Sequence, residues 1–100
     1  MTAPDTGPAV RKEIDGSRGR YVIETEEGTA ELTVSILSPT LVIADHTSVP
    51  RALEGRGYAR ALLEHLLEDA RRDGFRIVPL CPFVNAQRAR HPEWEPLFST

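Results

Sequence analysis

The chain has 100 residues, 40% of them hydrophobic, enough for one modest core and one domain. A net charge of −3 argues against general nucleic-acid binding, a lone cysteine rules out an internal disulfide, and no apolar run reaches membrane length. The charge is uneven: residues 1–50 carry four basic and eight acidic side chains, a balance of −4, and residues 51–100 carry eight and seven, a balance of +1.

Residues 1–16, rich in Pro, Gly, Asp and Thr, read as a loose leader before a single domain over 17–100. They contain no apolar stretch resembling a signal peptide, so the expected location is the cytoplasm. "RYVIETEEGTAELTVSIL" reads as a hairpin turning at Glu26-Glu27-Gly28. After the turn Ala30, Leu32, Val34 and Ile36 alternate with polar residues, as in a strand with one wet face. "LVIADHT" follows the break at 38–40. Its unalternating start, Leu41 to Ala44, suits a strand covered on both faces.

Ala59, Leu62, Leu63, Leu66, Leu67 and Ala70 make one apolar stripe of helical period, which predicts a helix over 58–73 with Gly74 as its stop. Glu68 and Arg72 are spaced for an i,i+4 pair. A strand over 76–81 and a helix over 83–91 follow, with Pro82 near the first turn. Trp94, Leu97 and Phe98 are expected on the core. The order is β-β-β-α-β-α, an α/β fold with a mixed sheet in which strand 41–47, helix 58–73 and strand 76–81 form one parallel crossover. Ligands of such units bind beyond the carboxyl ends of the strands, where His46 and Cys81 fall.

The long helix begins at "EGRGYAR". The first amides of a helix lack internal partners and carry partial positive charge, and glycine leaves them accessible. Gly55, Arg56, Gly57, Tyr58, Ala59 and Arg60 therefore read as an anion cradle, with a glycine turn needed only for chain reversal as the alternative. There is no Gly-Lys-Ser/Thr, and about eight residues separate strand from glycines, which disfavours triphosphate and dinucleotide loops.

"VPRALEGRGYARALLEHLLEDA" resembles the pyrophosphate loop of the GNAT superfamily of acetyl-CoA-dependent N-acetyltransferases, whose pattern is Gln/Arg-x-x-Gly-x-Gly/Ala at a helix start; Gly57 and Ala59 match its last two positions. With "DHT" before it and "PLCPFV…HPEW" after it, the chain from about 20 to 98 resembles the minimal YjdJ-type subfamily. Glu54 departs from the pattern by standing at the Gln/Arg position, where a carboxylate repels a diphosphate; pairing with Arg51 or Arg56 would blunt that.

The resemblance implies a minimal GNAT-like fold whose sheet splays between its two parallel strands. It implies acetyl-CoA as co-substrate, no metal, and a primary amine as acceptor. Ser48 and Val49 would face the pantetheine arm through their backbone, and Asn85 and Arg88 would flank it. The acetyl group would lie near His46 and Cys81. His46 suits a proton relay. Cys81, at a helix start, suits proton donation to the departing thiolate or acceptance of the acetyl. The alternatives are a structural histidine and a small buried core residue. Glu24, Glu26, Glu27 and Glu31 form either an attractor for a cationic acceptor or a solvated hairpin face. An open acceptor side favours a lysine or N-terminal amine on a protein. The competing reading is an acyl-CoA-binding or protein-interaction module with little or no catalysis.

Overall fold

A computed structural model describes residues 9–100. The elements run β1 (Arg11–Asp15), β2 (Arg18–Thr25), β3 (Gly28–Ser38), β4 (Leu41–Ser48), a 3-10 turn (Arg51–Leu53), α1 (Tyr58–Asp73), β5 (Arg76–Pro79), α2 (Pro82–Arg90) and a second 3-10 segment (Pro92–Leu97). The five strands form one sheet in the order β1-β2-β3-β4-β5. The first three pairings are antiparallel, and β4 pairs with β5 in parallel through α1.

The period-two residues of β3 and the period-3.6 residues of α1 meet. Ala30, Leu32 and Val34 join Leu62, Leu63, Leu66, Leu67 and Ala70 in the core, with Tyr21 and Ile23 of β2. Gly74 ends α1 with φ 81°, its N–H bonded to the Ala70 carbonyl at 2.9 Å. Trp94 and Phe98 are buried, Leu97 packs against them, and Phe98 bridges to Ile77 at the free edge of β5.

The elements themselves depart from the sequence reading in several places. Residues 11–15, assigned to the leader, form β1, with Arg11 opposite Val22 and Asp15 opposite Arg18. The strand has one apolar residue, Ile14, so alternation gives it away poorly; backbone pairing and its charged side chains hold it. Residues 1–8 of that segment lie outside the described residues. In β4 only Val42 and Ala44 are buried, while Leu41 and Ile43 stay half-exposed, because helices cover one face of the sheet and not the other. Arg72 bonds Asp69 at 2.8 Å and Asp73 at 3.1 Å rather than Glu68. Strand β5 stops at Pro79, short of 81.

The uncovered face carries the polar partners of the core residues. Val22 is fully buried yet stands outside the core cluster. It lies between Arg11 and Glu31 in the sheet register. Around it Arg11 pairs with Glu13 and Glu24, and Arg20 pairs with Glu13 and Glu31. The aliphatic stems of these side chains shield the valine while their charged ends remain wet.

Candidate functional site

The start of α1 is bare. Gly57 sits at its N-cap with φ 81°, no side chain caps the end, and no acidic residue occupies the first turn. The first intrahelical bond runs from the Ala61 N–H to the Gly57 carbonyl at 3.0 Å, which leaves the amides of residues 58–60 ahead of it. Gly55 also has positive φ, 78°. A Cβ at either glycine would meet nothing within 4 Å, so backbone conformation rather than crowding demands them. Leu53, wholly buried, anchors the chain just before this loop.

A cleft of about 260 Å³ opens on these amides. Gly55, Gly57, Tyr58, Ala59 and Arg60 form one wall, Val49 lies at the exit of β4, and Phe83 and Gln87 of α2 form the other wall. Sequence reading placed Asn85 and Arg88 here. Instead they sit on another side of α2 and bond each other, the Arg88 guanidinium donating to Asn85 Oδ1 at 2.8 Å. Phe83 and Gln87 are spaced i,i+4 and share the face turned to the cleft. That phase of a short helix with one buried residue, Val84, was not visible in its composition.

The charges around the loop are distributed differently from expectation. Arg56 does not line the cleft; it turns to the β2–β3 hairpin and pairs with Glu27 at 2.8 Å. Arg60 lines the cleft, but its guanidinium bonds Glu64 at 3.0 Å and lies 5.6 Å from the centre of the Trp94 ring. Glu54 also lines the cleft, and makes no ion pair among the described residues, neither with Arg51 nor with Arg56. The acidic hairpin is largely neutralised, since Glu24, Glu27 and Glu31 each hold an arginine.

Beyond the cleft the two parallel strands part. Their ladder ends at Ala44↔Pro79, and β4 continues through Ser48 paired only with β3. Pro79 has no N–H to offer; the Ala44 carbonyl accepts instead from the Cys81 N–H at 2.8 Å. Cys81 is the N-cap of α2 and 2% exposed. Its Sγ lies 3.1 Å from Thr47 Oγ1, a partner that sequence reading did not single out.

A register shift in β4 decides where His46 goes. Ala44 opposes Val34 and His46 opposes Thr33, so Asp45 is the extra residue of a bulge. Asp45 bonds the Ser35 hydroxyl at 2.6 Å, and His46 is exposed next to Thr33, both on the uncovered face. Thr47 then points back to the helix face. Cys81 and His46 therefore flank the gap from opposite sides of the sheet and do not meet. Ser48 is exposed on the same side as His46.

His65 is exposed on α1, while His91 stacks on Trp94 at 4.1 Å and contacts Glu93 at 3.0 Å. Among the described residues no group of three His, Cys, Asp or Glu side chains is placed to hold a metal, and no helix is long and apolar enough to cross a membrane.

Residues 20–97 match the family model for GCN5-related N-acetyl-transferase. The chain belongs to the GCN5-related N-acetyltransferase family. The family match runs from within β2 to the second 3-10 segment and takes in the glycine loop and the gap between β4 and β5; β1 lies outside it. A GCN5-like candidate N-acetyltransferase of Staphylococcus aureus, solved in solution by NMR, shares the fold at TM-score 0.68 and 22% identity, over 89% of this chain and 87% of that one. Among curated proteins none matches the sequence significantly.

Proposed function

We propose that the protein is an acetyl-CoA-dependent N-acetyltransferase of the minimal YjdJ-type, acting on a primary amine of a protein or peptide. The observation that carries this reading is the uncapped start of α1 opening on a cleft, in a chain of this family. The amides of residues 58–60, with Gly55 and Gly57 beside them, are the groups that would hold the diphosphate of coenzyme A. The pantetheine arm would run past Val49 and Ser48 into the gap where β4 and β5 part, with Phe83 and Gln87 along its other side.

Transfer then joins the two faces of the sheet. The acceptor amine reaches the acetyl carbonyl from the uncovered face, where His46 takes up its proton. The carbon–sulfur bond breaks on the helix face, where Cys81 donates a proton to the departing thiolate. The burial of Cys81 and its contact with Thr47 favour this role over that of acetyl carrier, because a carrier sulfur must be approached by both the thioester and the amine. The bare uncovered face leaves room for a bulky acceptor, and its compensated charges make general attraction of a cation a minor factor. In this reading the protein works in the cytoplasm without membrane or nucleic-acid partners, in keeping with its net charge of −3.

Glu54 on the cleft and the diversion of Arg56 favour a second reading, a module that binds acyl-CoA with little or no turnover. One experiment separates the two. Acetyl-CoA at 100 times its dissociation constant should stabilise the fold by about 2.7 kcal/mol, read as a rise in Tm. Radiolabelled acetyl-CoA with amine-bearing peptides then reports transfer. A shift with transfer above the uncatalysed rate supports the enzyme, a shift without transfer supports the module, and no shift removes both.

A further inference from the structure

Residues 54–57 are exposed, and two of them are glycines with positive φ. Such a segment has wide backbone freedom unless something outside it restrains it. One restraint of that kind is a side-chain hydrogen bond from Arg56 to Glu27, at 2.8 Å. Gly55 and Gly57 line the cleft and Arg56 does not; its guanidinium is turned to Glu27 on the hairpin.

The other end of this contact is itself held. The Thr25 hydroxyl donates to the Gly28 carbonyl at 2.9 Å and accepts from the Glu27 N–H at 3.0 Å, which fixes the hairpin turn that carries Glu27. Gly28 is packed so closely that a Cβ there would lie 3.0 Å from Pro50, the residue that opens the 3-10 turn before the glycine loop. The hairpin tip and the loop are thus neighbours through two contacts, one apolar and one ionic.

We propose that Glu27 is a positioning residue for the anion cradle, tethering the glycine loop to the β2–β3 turn through Arg56. The inference rests on the cradle reading of the loop for its effect on binding, and not for the tether itself. Arg56 acts as a strut and not as a phosphate ligand. Thr25 sets Glu27, Glu27 holds Arg56, and Arg56 narrows the range of loop backbone conformations, so that the amides are presented before a ligand arrives.

The test uses the full chain in four forms: wild type, Glu27→Gln, Arg56→Gln, and the exchanged pair Glu27→Arg with Arg56→Glu. Amide hydrogen exchange over residues 55–60 needs no ligand. It should quicken in both single variants and return toward wild type in the exchanged pair, with Tm nearly unchanged. Calorimetry with coenzyme A should show binding weakened about two- to fivefold in each single variant, the range expected of an exposed ion pair, with recovery in the exchanged pair and a smaller difference at high salt. If Arg56 instead met the phosphates, Glu27→Gln would leave binding unchanged or tighten it and the exchanged pair would bind worst; either result overturns the proposal. Unchanged exchange in Glu27→Gln overturns it also. Altered exchange in a protein that binds no coenzyme A would uphold the tether and remove the acetyltransferase reading instead.

Discussion

The Tyr21 hydroxyl donates to Asp69 at 2.6 Å across the interface between β2 and α1, inside the core. Asp69 is the one charged residue buried among those described, and Lys12 at 2.9 Å and Arg72 at 2.8 Å complete its shell. Burial pushes the Asp69 carboxyl up, but the Tyr21 bond and the two cations outweigh it and hold it below its ordinary value. Burial first, and then the bond to Asp69, push the Tyr21 phenol well above its ordinary value. This cluster joins β1, β2 and α1.

The two shifts set opposite pH limits. A depressed carboxyl stabilises above its unfolded pKa of about 4, and that share is lost as pH falls through the folded value. A raised phenol stabilises fully below about pH 10, and that share is lost as pH rises through the folded value. Tyr21→Phe should cost about 1.5 kcal/mol at neutral pH, the low end for a bond to a charged group, because Lys12 and Arg72 still serve Asp69. It should also flatten the alkaline limb of stability. Urea unfolding of both proteins from neutral pH to about pH 11 checks this; parallel alkaline limbs would contradict it.

Gly57→Ala places a Cβ in open space at φ 81°, so its cost comes from backbone conformation alone. The expected loss is roughly 1–2 kcal/mol of stability. Coenzyme A binding should fall further than stability does, because relaxing the N-cap turns the first amides of α1 away from the cleft. Calorimetry and urea unfolding on the same samples compare the two; equal losses would leave the cradle without support.

Glu54 lines the cleft and makes no ion pair among the described residues. Glu54→Arg should tighten coenzyme A binding, and the gain should shrink as salt is added. Unchanged or weaker binding in the calorimeter would place the diphosphate elsewhere.

Cys81 and Thr47 form one contact with two separable roles. Cys81→Ala should slow transfer with little change in coenzyme A affinity, since the thiol lies beyond the cleft lining. Thr47→Val keeps the shape and removes the hydroxyl, and should give a smaller loss in the same direction. Intact-mass measurement of wild type after acetyl-CoA should show no acetyl adduct at Cys81. A stable adduct would make it the carrier.

The long-range features that could be read in the sequence were those repeated along it. The six-residue apolar stripe announced α1 with its bounds, and the alternation from Ala30 to Ile36 announced β3. Their contact followed, because each had one apolar face. Strand β1 escaped because a strand with one apolar residue is held by its partner's backbone, which local sequence does not record. At the site, the bare helix start was legible from its glycines. The destination of Arg56 was not, since it depends on a hairpin tip 29 positions earlier in the chain. Nor was the separation of His46 from Cys81, which follows from a single extra residue in β4. Buried Asp69 was hidden for a similar reason: its helix position looks like any solvated acid until Tyr21 and Lys12 arrive from the sheet.

Val22 shows what the uncovered face requires of its neighbours. A second helical layer would protect such a valine with hydrocarbon and be indifferent to the ionic medium. Here the roof is woven from Arg11, Glu13, Arg20, Glu24 and Glu31, and electrolyte competes with every strand of the weave. One face of the sheet is therefore shielded by hydrocarbon and the other by a cover that electrolyte can loosen, and under the proposed function the acceptor arrives on the second.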